Sequence, residues 1–142
     1  MRGRCSDHKA ARTVLKQTAQ YQERECDPML LAISLSNLAC LTLREGKPNK
    51  ALRSSLQAAS LLHDHLEQQH QQKDKKKLQE DGVVFVNALA ISRRALLQLL
   101  PKPTQQHYLL KRMLQEVNRV GYTFCRKYLG EDSFFIRKFT YN

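Results

Sequence analysis

The chain has 142 residues, with 24 Lys and Arg against 13 Asp and Glu, a formal net charge of +11 and hydrophobic residues at 42%. The length fits one domain, 1–142, and with only five Gly, four Pro and no Trp beside abundant Leu, Ala, Gln, Lys and Arg, the composition favours an all-α fold over a turn-rich β fold. No stretch approaches ~18 uncharged apolar residues, so no membrane span is expected, and the start Met1-Arg2-Gly3-Arg4-Cys5-Ser6 lacks the apolar run of a secretory signal.

Taken in chain order, a first helix is expected over 7–25. Ala11, Val14, Leu15, Thr18 and Tyr21 recur there at steps of three and four residues. Asp27-Pro28 then forms a start signal, because Asp27 can cap exposed amides and Pro28 suits the first helical position. The second helix, 28–44, is apolar nearly all round and should be covered on more than one side. Gly46 is placed to end it in a left-handed conformation. Lys47-Pro48 opens a third helix with a buried stripe of Leu52, Ser55, Leu56, Ala59, Leu62 and Leu66. The polar stretch that follows includes a basic linker over 73–81 with Lys73, Lys75, Lys76 and Lys77, either a solvated helix extension or a mobile loop. A fourth helix is expected over about 83–100, stopped by Pro101-Lys102-Pro103. Thr104 can cap a fifth, running to about residue 129 with the stripe Leu109, Met113, Val117, Val120, Gly121, Phe124 and Tyr128, and Gly130 terminates it. An aromatic tail over 131–142 carries Phe134, Phe135, Ile136, Phe139 and Tyr141.

Within 27–72 the large–small pair Leu38-Ala39, then Gly46, then Ala51 and Ala58 seven residues apart, stand in one register. This resembles the tetratricopeptide (TPR) repeat, in which small residues let paired helices approach closely and a glycine makes the reversal between them. Thr42 and Ser55 depart from it by standing where large aromatic residues are usual, and His63 by replacing a common proline. Asn87-Ala88-Leu89-Ala90 echoes the first-helix pattern in a degenerate second repeat over 82–130. The closing Tyr128-Leu129-Gly130-Glu131-Asp132 resembles kinesin-light-chain-type repeats. The resemblance implies antiparallel helical hairpins stacked as a short, right-handed, TPR-like α-solenoid of about five helices. Stability of such arrays usually takes about three stacked repeats, so the apolar second and fourth helices should finish their core against a second copy, a larger subunit or further sequence.

The resemblance also places Asn37, and by analogy Asn87, where the family grips the backbone of an extended peptide. The bland alternative is an amide bonding a neighbouring helix turn. Arg93, Arg94, Lys111 and Arg112 are candidates for lining a groove for an acidic peptide, since Arg suits bidentate carboxylate contact; the alternative is a solvated helix face. Phe134, Phe135, Phe139 and Tyr141 either fold back to cap the fifth helix or dock into a partner. The lysines of 73–77, with Lys102, Arg137 and Lys138, form a basic set without an RNA-binding signature. His63, Glu67 and His70 share a helix face near His65, but without cysteines or the H-E-x-x-H arrangement no metal is assigned. Of the cysteines Cys5, Cys26, Cys40 and Cys125, none forms a C-x-x-C pair, which argues for a reducing compartment.

No Gly-rich phosphate loop, Ser-His-Asp or Cys-His arrangement is legible, so the expectation is a non-enzymatic module without cofactors that binds a protein partner or sits in a larger complex. Self-association fits the unfinished core. The expected setting is cytoplasmic, including cytoskeletal or ciliary assemblies. The alternative is a basic subunit of a ribonucleoprotein such as a mitochondrial ribosome, where the charge would meet RNA phosphates.

Overall fold

A computed structural model describes residues 9–18, 20, 27–69, 75–102, 104–130 and 134–139. Every regular element among them is helical: α1 (9–18), α2 (Pro28–Arg44), α3 (Pro48–Gln69), α4 (Lys75–Leu99), α5 (His107–Phe124), a π-helical turn (Cys125–Leu129) and a 3-10 helix (Phe134–Phe139). The first expected helix is thus described only in part, and the sequence around Tyr21, like Tyr141, lies outside the described residues.

The start of α2 is built as its residues dictate. Asp27 is extended, its carboxylate accepts from the Leu30 amide at 3.2 Å, and Pro28 occupies the first turn. At the other end Gly46 adopts φ 78°. Its amide donates to the Leu43 carbonyl and the Lys47 amide donates to the Thr42 carbonyl. These are the two bonds of a Schellman reversal, and only a residue that tolerates positive φ completes it. Residues 45–47 therefore suffice to turn the chain into α3.

Three boundaries differ from expectation. The basic linker over 73–81 is helical from Lys75, so α4 begins about two turns earlier than the apolar pattern indicates. Lys75, Lys76 and Lys77 are solvated there, while Asp81 turns inward and its carboxylate comes within 3.5 Å of His65 on α3. Thr104 does not cap α5 through its hydroxyl. The helix starts at His107, and Thr104 contributes only its carbonyl, accepting from the His107 amide at 3.2 Å. Regular α-helix ends at Phe124, and the π-helical turn carries the chain on to Gly130, whose φ is 93°.

The helices pack in succession, α2 on α3, α3 on α4 and α4 on α5, and α2 also reaches α4. Small residues occupy the innermost positions: Ala39, Ala51, Ala58 and Ala88 have no solvent exposure. Ser55 and Ser92 are equally buried and their hydroxyl oxygens meet at 2.7 Å across α3 and α4, with Ser92 donating and Ser55 in turn donating to the Leu52 carbonyl. A large aromatic at Ser55, usual in the repeat it resembles, has no room beside this contact. By length and hydropathy α4 is apolar enough to cross a membrane, which the sequence reading did not expect, but 56% of its apolar window is buried inside this fold. It is the core helix, with neighbours on several sides.

The end of the chain packs through helical glycines. Phe139 is buried and its ring lies over Gly121, where an added Cβ would stand 2.5 Å from the ring carbons. Gly82 is similarly covered by the Phe124 ring, at 2.9 Å from an added Cβ. Glycine in a helix costs about 1 kcal/mol relative to alanine, so both positions trade helix propensity for a seated aromatic ring. Of the tail rings, Phe139 caps α5, Phe135 is half-buried, and Phe134 stays 73% exposed.

Gly121→Ala should destabilise the chain by about 1–3 kcal/mol in urea unfolding, because the new methyl overpacks Phe139. In a Phe139→Ala background the same substitution should be neutral or stabilising, since the clash is gone and alanine's propensity remains. Equal destabilisation in both backgrounds would contradict this packing.

Candidate partner-binding grooves

Asn37 on α2 and Asn87 on α4 are both exposed, and each precedes buried residues, Leu38-Ala39 and Ala88-Leu89. Since α2 and α4 touch, two solvent-facing amides stand on adjacent helices. Each amide can donate and accept, which suits an extended peptide backbone.

Asn87 belongs to a hollow of about 310 Å³ that it lines with Ala90, Ile91, Arg93, Arg94 and Lys138. Asn87, Ala90, Ile91 and Arg94 follow one another at helical spacing along a single stripe of α4. Arg93 is half-buried and its Nε donates to Asn118 Oδ1 on α5 at 2.9 Å. Desolvation draws its pKa below the ordinary arginine value, but a guanidinium remains charged across the physiological range. Lys138 arrives from the 3-10 helix, with its ammonium 5.4 Å from the Phe135 ring centre and 6.0 Å from that of Phe134. Among the described residues no acidic side chain lines the hollow.

Only part of the expected basic set comes together here. Arg93 and Arg94 do, but Lys111 and Arg112 stand exposed on α5 and are not in the lining, and neither is Asn37. Lys138 joins instead. Its place was not readable from the sequence, because it depends on Phe139 seating over Gly121 and carrying the 3-10 helix back onto α5 and α4.

A second, larger groove of about 610 Å³ lies where α3, the beginning of α4 and the end of α5 converge. Leu66, Leu78, Phe85, Val120, Phe124 and Tyr128 give it an apolar wall, and His63, Glu67, Arg119 and Lys127 its polar rim. The rim is internally paired. His63 lies 3.5 Å from Glu67, Arg119 bonds Glu116, and Lys127 stands 5.0 Å over the Tyr128 ring. Arg119 holds the Glu116 carboxyl below the usual carboxylate range. The groove escaped the sequence because its walls come from three helices, one of which supplies Leu78 from the stretch read as a linker. His65 faces Asp81 rather than His63, and His70 lies outside the described residues.

Arg12 on α1 is a further residue the sequence did not single out. Its guanidinium bonds Glu45 Oε2 at 3.0 Å and Thr42 Oγ1 at 3.1 Å, and Thr42 donates to the Leu38 carbonyl at 2.8 Å. A cation here also complements the carbonyl end of α2. Thr42, another departure from the repeat pattern, therefore serves as a docking point for α1.

Among the described residues no group of three His, Cys, Asp or Glu side chains is placed to hold a metal ion. Cys125 is fully buried, and desolvation pushes its thiol pKa up to about 11 from an ordinary value of 9.0. The thiol is thus protonated in the folded chain at neutral pH and a poor nucleophile. Iodoacetamide at pH 8 should leave Cys125 unmodified until denaturant is added, as read by peptide mass spectrometry. Its contribution to stability is full below pH 9 and declines as pH rises toward 11, because the unfolded thiol ionises first. Rapid alkylation of Cys125 in the native chain would contradict its burial. Comparison of the chain with protein-family models, curated proteins and solved structures finds no match.

Proposed function

We propose that this chain is a TPR-like helical-repeat module, without catalytic activity, that binds a protein partner as an adaptor or as a structural subunit of a larger assembly. On this reading α2–α3 and α4–α5 are two hairpins of a short right-handed solenoid, and α1 stands as an orphan second helix beside them. The observation that carries the reading is the pairing of α2 with α4: two first helices in contact, each presenting an exposed asparagine ahead of buried small and large residues. Successive helix contacts and the glycine reversal at Gly46 support the same arrangement. A cytoplasmic setting, including cytoskeletal or ciliary assemblies, accords with a partner of this kind.

A second reading, a basic subunit of a ribonucleoprotein such as a mitochondrial ribosome, draws on the net charge of +11 and on the solvated Lys75, Lys76 and Lys77 at the start of α4. Phosphate contacts would make log affinity fall steeply with log salt, whereas a groove that bonds a peptide backbone responds weakly.

Photo-crosslinking residues placed at positions 37 and 87 should capture one extended segment of the same partner, while the same residue at exposed position 53 on α3 should not. Asn37→Ala and Asn87→Ala should each weaken that complex by about 1 kcal/mol. Crosslinks that favour position 53, or a complex that nuclease and moderate salt dissolve, would overturn the groove reading.

A further inference from the structure

We propose that the hollow formed by Asn87, Arg94 and Lys138 over Ala90 and Ile91 seats an aspartate or glutamate side chain of an acidic peptide, and that the C-terminal 3-10 helix is a working part of this seat because it supplies Lys138. The proposal rests on the protein-binding reading above and names the chemistry of the partner.

The charge of the hollow is its first qualification. Three cationic side chains line it, and among the described residues no carboxylate does. Arg94 is exposed and forms no salt bridge among the described residues. Its guanidinium is thus available for a carboxylate fork. Arg93 adds charge from the back wall, where its bond to Asn118 fixes it against α5. The Asn87 amide can donate to a second carboxylate oxygen at the same stripe of α4.

The floor decides the kind of anion. Ala90 and Ile91 offer an aliphatic surface between the polar groups. A peptide with an acidic residue beside a small aliphatic one satisfies both features. Single-stranded RNA binds through aromatic platforms as well as phosphate contacts, and among the described residues no aromatic ring lines this hollow. A second copy of the chain is a poor occupant, since two molecules of net charge +11 repel.

Lys138 is positioned rather than merely nearby. Phe139, the next residue, is buried over Gly121, and the Phe134 and Phe135 rings lie under the Lys138 ammonium. The seat is therefore split between two segments of the chain, α4 and the tail, and the Phe139–Gly121 contact joins them.

The test uses the full chain and fluorescence anisotropy at low salt with three labelled probes: a peptide of alternating Glu and Val, its Gln-and-Val counterpart, and an oligouridylate. The Glu peptide should bind about tenfold or more tightly than the Gln peptide, with R94Q and K138Q each reducing its affinity by about threefold to tenfold. R112Q, which removes an exposed charge outside the hollow, should leave affinity unchanged. F139A should match K138Q while far-UV circular dichroism stays as in the parent chain. The proposal is overturned if R94Q and K138Q bind the Glu peptide as the parent does, if R112Q costs as much as they do, or if the oligouridylate binds more tightly and loses affinity with R94Q. Should N37A weaken the Glu and Gln peptides alike while R94Q and K138Q are silent, the backbone groove stands and the acidic seat falls. The reverse pattern retains the seat and removes the groove.

Discussion

Ser55 on α3 and Ser92 on α4 meet hydroxyl to hydroxyl at 2.7 Å, without solvent access, and that spacing constrains the middle of the molecule. Side chains this short can touch only if the two helices run close together. Ala51 and Ala58 on α3 and Ala88 on α4, all fully buried, repeat the requirement along the same helices. Larger side chains, including Leu62, Leu96 and Val86, then close the space around the small ones. Neither hydroxyl is orphaned, which matters because an unpaired buried polar group costs about 1–3 kcal/mol.

The surface follows from this constraint. With α3 drawn against α4, the exposed stripe of α4 that carries Asn87 and Arg94 faces outward, and α2, which touches α4, sets Asn37 on the neighbouring helix. The far end of the layer is closed by aromatic rings seated on glycines, Phe124 over Gly82 and Phe139 over Gly121. The second of these contacts carries Lys138 back to the basic hollow. Close packing inside and charge outside are thus linked through the tail.

Much of the helical layout was legible because its signals are local. Asp27-Pro28, Gly46 and the stripe of α3 each act within a turn or two of the chain and appear where expected. The stripe of α5 begins one residue later than expected, with Leu110 and Leu114 buried and Leu109 54% exposed, and Ala11 and Val14 of α1 are exposed. The start of α4 was not legible, because Lys75 to Asp81 lack an apolar face; the segment continues α4, with Asp81 set against His65. The basic site was half legible. Arg93 and Arg94 stand out as a pair, whereas Lys138 joins them only through a long-range contact between Phe139 and Gly121. A glycine inside a strongly helical run was the available hint. Lys111 and Arg112 stand exposed on α5 outside the hollow, because charge proximity in sequence does not fix which helix face meets α4. Arg12 was invisible for a related reason: its partners, Thr42 and Glu45, belong to the far end of another helix.

The close approach of α3 and α4 is tested most directly by comparing Ser55→Ala with Ser55→Leu in equilibrium urea unfolding. The alanine variant loses a hydroxyl that Ser92 can replace with the Ala88 carbonyl, 3.1 Å away, so it should cost no more than about 1 kcal/mol. The leucine variant must push the helices apart and should cost about 1–3 kcal/mol more. Equal stability of the two variants would mean that α3 and α4 do not meet at this distance.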